Sequence, residues 1–346
     1  VRGIRIFAAA ALLATTPMIF AADAPSKSAE ATHVKKVEKP PNFIPAKNDP
    51  NVGDYQGDGS GQVVAQVVVA PGGGYTANLL KAFDTENNLI ATLHGSADNL
   101  TGDGWTGSIK SSHFTGNKGG QKFDIQHIER TSPTLGAKPP AGAVVLFDGK
   151  NMDAWAKKSG KDWLTEDGPS KWKLVPEENA MEVVPESDCI ITHQKFGDCH
   201  LHAEFRTLGT PSNSGVFLED RYEANINETY GRTDGTPNGG FDNCTDKVEP
   251  KIRPSFPPLA WQTFDIDFHA PRFDGANKTT DATATVLLNG VKIYDNQKLD
   301  PPHGAAGRLR EAPTGPLMLQ EHGMPVQFRN IWIVPAAGAT ASATGG

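Results

Sequence analysis

The chain reads as an all-β protein, a jelly-roll sandwich preceded by a small β-rich N-terminal module. Three observations carry that reading. Apolar residues come in short runs that alternate with polar ones, the period of half-buried strands. Gly (36) and Pro (26), with Asn and Asp, punctuate those runs along 346 residues, so the connections read as turns. No stretch holds the 3.6-residue apolar period over the length of a helix. About ten such strands, each with one apolar face, are satisfied by two antiparallel sheets packed face to face.

Taken in order, Arg2 and Arg5 precede an apolar run from Ile6 to Leu13 and small residues up to Ala21, Ala22 and Ala24. That is the pattern of a secretory signal peptide over residues 1–22, too short for a membrane anchor. No later apolar run approaches the ~20 residues a bilayer needs. The expectation is a periplasmic or secreted protein with no membrane span after signal cleavage. Residues 23–47, rich in Lys, Pro, Ala and Glu without periodicity, read as a disordered linker. Residues 48–132 read as the small module. Gln62–Ala70 and Tyr75–Phe83 form a hairpin across Pro71-Gly72-Gly73-Gly74, and strands follow near Leu89–Leu93, Trp105–Ile109 and Phe123–Glu129. Thr101-Gly102-Asp103-Gly104 lacks the acidic spacing of a calcium loop and reads as a turn. Nothing in the module assigns it a role. A Pro-rich linker, 133–143, leads to the larger domain, 144–335, and a low-complexity, disordered tail, 336–346.

In the larger domain, Leu201, Ala203 and Phe205 alternate with His200, His202, Glu204 and Arg206. Gln262, Phe264, Ile266 and Phe268 alternate with Trp261, Thr263, Asp265 and Asp267. Asn289-Gly290, between two strand-like runs, is a strong type I′ hairpin signal. A long irregular section from Gly231 to Pro258 reads as functional or disordered.

A net charge of −7 without a basic cluster argues against nucleic acid as a partner. Of Cys189, Cys199 and Cys244, the first two could form a disulfide across a hairpin, or Cys199 could pack as a buried free thiol. No Cys-x-x-Cys pair indicates a zinc site. No Gly-x-Ser-x-Gly, His-Glu-x-x-His or phosphate-loop motif is present. His200-Leu201-His202 has the look of a metal-ligand pair, but Arg206 stands near the place of the carboxylate that should follow.

The densest polar row lies in Asn213–Asn227. Tyr222, Ala224 and Ile226 take one face of a strand, while Glu223, Asn225 and Asn227 take the other, about 7 Å apart. Such a row suits a hydroxyl-rich ligand, and it equally suits water. Gln320 and His322 form a second row near the C-terminus. Glu204 and Arg206 share a face and either pair with each other or meet a ligand. Asn213 either contacts a ligand or bonds its own turn. Trp261 either stacks on a sugar ring or edges the core. Brought together, the rows would supply a general base, a general acid and hydroxyl ligands.

The segments Leu146-Phe147-Asp148-Gly149-Lys150-Asn151, Glu204-Phe205-Arg206, Asn213-Ser214-Gly215-Val216-Phe217-Leu218, Arg221-Tyr222-Glu223-Ala224-Asn225-Ile226, Leu319-Gln320 with His322-Gly323, and Phe328-Arg329-Asn330-Ile331-Trp332 together resemble the 3-keto-disaccharide hydrolase family. The resemblance covers about residues 143–335. It implies a concanavalin A-like sandwich with a sugar site on its concave sheet. It also implies cleavage of 3-keto-glycosides, by hydrolysis or by elimination followed by hydration. Glu223 matches the family's strand glutamate and is the expected catalytic carboxylate; His322 is the expected acid or base. Glu204, Arg206, Asn213, Glu219, Asn225, Trp261 and Gln320 are the expected substrate-binding residues. Asn225 stands where glutamine is usual and Glu219 where arginine is common, which points to altered substrate choice. The partner implied is a small carbohydrate. The cofactor is unassigned; a divalent metal ion could hold an enolate oxygen, though no spacing demands one. The competing readings are a carbohydrate-binding module without turnover and a structural β-sandwich.

Overall fold

Alternation along the strand Cys199–Thr207 sets the architecture. Leu201, Ala203 and Phe205 are fully buried on one side, and the facing residues of the neighbouring strand Gln262–His269, Phe264, Ile266 and Phe268, join them in one core. The computed structural model describes residues 43–58, 63–159, 164–232, 235–241, 243–244, 246–303 and 310–336. The expected signal peptide, the linker up to residue 42, Trp163 and the tail from 337 lie outside them.

The sandwich is two antiparallel sheets. The larger, eight-stranded, runs in the order 173–175, 180–182, 326–335, 199–207, 262–269, 282–288 and 291–299, with 144–147 also paired to 326–335. The smaller, five-stranded, runs 155–157, 190–196, 315–319, 213–218 and 222–227. Val216, Leu218, Tyr222, Ala224, Ile226, Leu317 and Leu319 of the small sheet share the core with the large one. Tyr222 meets Phe268 across the layers with ring centroids 5.6 Å apart. Asn289 and Gly290 both have positive φ, 54° and 78°, as the type I′ turn requires. Among the described residues the only helical turn is a short 3₁₀ segment, Pro176–Glu178, and no helix is long and apolar enough to cross a membrane.

The N-terminal module is a closed eight-stranded barrel from Gly53–Gln56 to Gln121–Ile128. Three of its strands, Gly53–Gln56, Asn99–Gly102 and His113–Lys118, are short or polar and have little apolar alternation to announce them. Closure removes the exposed edges that such short strands would otherwise leave. Of the expected turn Thr101-Gly102-Asp103-Gly104 only Asp103-Gly104 turns, with φ of 50° and 80°, while Thr101 and Gly102 end the strand Asn99–Gly102. The barrel is fastened to the sandwich. Asp54 accepts from Tyr230 Oη at 2.8 Å and from Arg130 Nε at 2.8 Å, and Asn78 Nδ2 donates to the Gly231 carbonyl at 2.5 Å. The chain before it is fastened too. Ile44 and Pro45 pair with Thr210 and Gly209, so the expected linker ends before residue 47.

The Pro-rich segment after the barrel lies along the outer face of the large sheet, tied down by its polar groups. Thr134 Oγ1 donates to Asp265 Oδ2 at 2.6 Å, and Gly136 N donates to Glu204 Oε1 at 2.6 Å. The Ala137 carbonyl accepts from Asn330 at 2.9 Å and from Trp332 Nε1 at 3.3 Å. Beneath it, fully buried His202 sits 2.6 Å from Asp265 and stacks on Trp332 at 4.9 Å. Burial pushes the His202 imidazole down, but the Asp265 and Glu204 carboxylates outweigh it and raise its pKa to about 8. A histidine whose folded pKa is raised stabilises fully below its ordinary value near 6.5, and that stabilisation is lost as pH rises through about 8. Urea unfolding should therefore show about 2 kcal/mol less stability at pH 9 than at pH 6 from this group. His202→Gln should flatten that slope, and an unchanged slope would remove His202 from the account.

Candidate functional site

The site is built from the outer face of the small sheet. In the strand Tyr222–Asn227 the core takes Tyr222, Ala224 and Ile226, so Glu223, Asn225 and Asn227 turn outward. In Asn213–Leu218 the outward residues are Asn213, Gly215 and Phe217; in Gly315–Leu319 Met318 turns outward, with Gln320 just beyond. Register aligns these positions. Gly215 pairs with Asn225, and Gln320 N donates to the Gly215 carbonyl at 3.0 Å. Gln320 and Asn225 therefore flank Gly215, whose missing side chain leaves a gap between them. Glu223 fills it: its Oε1 lies 2.6 Å from where a Cβ on Gly215 would stand. Ile191, Phe217 and Met318, all buried, form an apolar patch alongside, with Cys189 packed against it.

Several polar atoms here are buried without a hydrogen-bond partner among the described residues: Asn225 Oδ1, Gln320 Oε1, His322 Nδ1 and Asp220 Oδ2. Buried polar groups are normally paired, so the two amide oxygens that flank Gly215 on this face, Asn225 Oδ1 and Gln320 Oε1, mark a place prepared for a ligand. His322 lies two residues beyond Gln320, past Glu321, whose backbone N–H donates to Cys189 Sγ at 3.4 Å.

The remaining expected residues go elsewhere. Glu204, Arg206 and Trp261 are not on this face. Glu204 and Arg206 project from the opposite side of the sandwich, because Leu201, Ala203 and Phe205 take the core side of their strand. Glu204 is 1 % exposed beneath the segment 132–138 and accepts from Arg329 Nε at 2.6 Å and Asn330 Nδ2 at 2.8 Å. Burial pushes its carboxyl up, but His202, Asn330, Arg329 and the Gly136 N–H outweigh that and hold it at about 2. It is a brace for the linker. It also does not pair with Arg206, which bonds Gln327 at 2.7 Å and Glu178 at 3.0 Å. The Trp261 ring is engaged by the guanidinium groups of Arg206 and Arg329, 4.6 and 4.0 Å from its centroid, so it is not free to stack on a sugar. Of the two alternatives for the cysteines, the structure shows the buried free thiol. All three cysteines are free; Cys199 lies in the core, whereas Cys189 packs on the outer face.

Glu219 stands at the hairpin turn beyond the row, with φ of 54°. Both its carboxylate oxygens are buried without a hydrogen-bond partner among the described residues, 3.9 Å from Arg221 at the nearest. Burial raises its pKa to about 8, against the pull of Arg221. The next residue, Asp220, carries no signal in the sequence. Its Oδ1 accepts from Lys158 Nζ at 2.6 Å, with both side chains buried. Burial pushes the Asp220 carboxyl up to about 6, and Lys158 opposes that rise. Among the described residues no three His, Cys, Asp or Glu side chains are grouped so as to hold a metal ion. The donors here make no metal-ligand set.

Residues 142–334 match the family model of the 3-keto-alpha-glucoside-1,2-lyase-like domain, more than half of the chain. The chain belongs to that family. This places the lyase-like domain among carbohydrate-active proteins and corresponds to the sandwich, not the barrel. No curated protein matches the sequence. Among solved structures it is similar to two candidate glycosyl hydrolases from Parabacteroides distasonis. One is 28 % identical with a TM-score of 0.45, covering 57 % of this chain and 84 % of that one. The other is 18 % identical with a TM-score of 0.40, covering 56 % and 93 %. A Bacillus subtilis protein of unknown function with a galectin-like fold is 9 % identical, with a TM-score of 0.28, covering 57 % and 96 %.

Two substitutions in the lyase-like domain check this geometry. Gly215→Ala should cost about 1–3 kcal/mol, because the new methyl meets Glu223 and the Phe217 ring, and a crystal structure should show Glu223 displaced from the gap. Glu219 has a raised folded pKa, so its stabilisation is complete below its ordinary value and lost as pH rises through about 8. Glu219→Gln should accordingly stabilise by about 1–3 kcal/mol at pH 8.5 and by little at pH 4, read from urea midpoints.

Proposed function

We propose that this protein is an enzyme that cleaves 3-keto-glycosides on the outer face of the small sheet. The observation that carries the reading is the gap at Gly215. A carboxylate fills it, and on either side stand buried amide oxygens without a partner among the described residues. Amide and carboxylate oxygens accept hydrogen bonds from sugar hydroxyls. The buried side chains of Ile191, Phe217 and Met318 form an apolar floor beside that gap.

The chemistry follows from the substrate's carbonyl. A ketone at C3 acidifies the proton on C2. Glu223 removes that proton as general base. The electron pair forms the C1=C2 bond as the bond from C1 to the aglycone oxygen breaks. His322 gives the departing oxygen its proton, so an alcohol leaves and a 2-hydroxy enone remains. Adding water across the new double bond completes a net hydrolysis. Asn225 and Gln320 orient the ring through its hydroxyls. The leader-like N-terminus supports a periplasmic or secreted location, which fractionation of cells producing the full chain would check.

The direct assay incubates the purified full chain with a 3-keto-glucoside or 3-keto-trehalose, with and without EDTA. Turnover is expected, with Glu223→Gln and His322→Ala each slowing it by about 10²–10⁴-fold. Tight sugar binding without turnover would replace the enzyme by a carbohydrate-binding module. Neither binding nor turnover would sink both.

A further inference from the structure

Beside the Gln320–His322 segment lies the buried ion pair of Lys158 and Asp220. Lys158 continues the edge strand Trp155–Lys157, and its backbone N–H donates to the Cys189 carbonyl at 2.9 Å. Cys189 in turn contacts Glu321, between Gln320 and His322, through its Sγ. The Lys158 side chain is 7 % exposed and reaches Asp220 Oδ1 at 2.6 Å, while Asp220 is fully buried at the hairpin turn just before Glu223. Cys189, which packs against the buried Ile191, Phe217 and Met318, joins the strand that carries Lys158 to that apolar cluster. A buried ion pair is weak support for stability, since a well-packed apolar replacement is often neutral or better. Its presence on this face calls for another reason.

Donor and acceptor chemistry supplies one. Asn225 Oδ1, Gln320 Oε1, Asp220 Oδ2 and the Glu223 carboxylate are acceptors, which hydroxyls satisfy by donating. A ketone oxygen cannot donate. It needs a donor, and the negative charge it gains when C2 is deprotonated is best met by a cation. We propose that Lys158 holds the substrate's ketone oxygen and the enolate formed from it, and that Asp220 aims the ammonium. The inference rests on the 3-keto-glycoside reading and names the group that would make the site select a ketone over the parent alcohol. Lys158 is then a catalytic residue and Asp220 a positioning one. Proton and electron accounting is unchanged: Glu223 takes the C2 proton, and Lys158 stabilises the charge without transferring one.

Two measurements separate this inference from the reading beneath it. In the Glu223→Gln background, which blocks turnover, calorimetry compares binding of a 3-keto-glucoside with that of the same glucoside bearing a C3 hydroxyl. The ketone is expected to bind at least about tenfold tighter, and adding Lys158→Met to erase that ratio. In the otherwise native chain, Lys158→Met should lower kcat about 10²–10³-fold, with exchange of the C2 proton in D2O slowed in parallel, and Lys158→Arg should recover part of it. A Lys158→Met protein that keeps the ketone preference, or turns over within about threefold of native, overturns the assignment while native turnover leaves the enzyme reading standing. A native chain without turnover whose ketone preference still depends on Lys158 does the reverse. Equal binding of ketone and alcohol without any turnover overturns both. Should Lys158→Met not fold, Asp220→Asn is read instead; it is expected to reduce the ketone preference about fivefold, and an unchanged preference overturns the proposal.

Discussion

Contact between the two sheets, with Phe205, Phe264 and Phe268 on one side and Val216, Tyr222 and Leu319 on the other, is the constraint from which the rest of the molecule follows. Once one face of each strand is committed to that core, every intervening polar residue must go to one of two outer faces, and those faces lie on opposite sides of the sandwich. Polar residues that look alike in sequence are therefore divided by topology alone. Glu204 and Glu223 each follow an apolar residue and precede another, in short strands of similar composition. One becomes a brace under a linker and the other stands in a gap flanked by amide oxygens that have no partner among the described residues.

The outer face of the large sheet shows what a fully satisfied polar surface looks like. Its histidines, carboxylates and Arg329 are consumed by each other and by the segment 132–138. Ser132 Oγ lies 2.6 Å from Thr263 Oγ1, and Pro133 crosses the Asn289-Gly290 turn so closely that any side chain on Gly290 would collide with it. Low dielectric strengthens such a network when it is complete and penalises it when it is not. The small sheet's face is incomplete by the same standard. The contrast between the two faces of one sandwich, rather than the polarity of either, distinguishes site from scaffold.

Alternation alone makes the all-β class, the Asn289-Gly290 turn and the outward facing of Glu223 and Asn225 legible in the sequence. It cannot reveal which outer face a strand shares with which other strand, since that depends on pairing between segments a hundred residues apart, such as Gly215 with Gln320. That is why alternation leaves Glu204, Arg206 and Trp261 undecided between scaffold and site, and why the resemblance groups them with Glu223. The barrel's closure is hidden for a related reason: its polar strands are held by neighbours on both sides rather than by an apolar face of their own. Lys158 and Asp220 give no periodic signal, one lying at the end of a three-residue strand and the other in a turn. Gly215 does carry one, an unoccupied outward position amid a polar row, whose meaning emerges only when Glu223 is seen to fill it.

Asn238, Gly239, Gly240 and Asn243, from the long connection after the strand Tyr222–Asn227, brace this face. Tyr222–Asn227 is the last strand of the small sheet, and an edge strand leaves alternate backbone groups unpaired. Here the loop takes them in turn. Asn243 Oδ1 accepts from Glu223 N at 3.0 Å, Asn225 N donates to the Gly240 carbonyl at 3.1 Å while its own carbonyl accepts from Gly239 N at 2.8 Å, and Asn238 Oδ1 accepts from Asn227 N at 2.6 Å. The backbone groups so held belong to the three residues whose side chains face outward. Their positions are thus fixed from both edges, by the strand Asn213–Leu218 on one side and the loop on the other. A site that must present a carboxylate and two amides within fractions of an ångström needs that support, because side chains on a fraying edge would lose their orientation first. Phe241 and Cys244 secure the loop in turn by burying themselves in the inter-sheet core. The packing that divides the two outer faces therefore also anchors the residues that brace one of them.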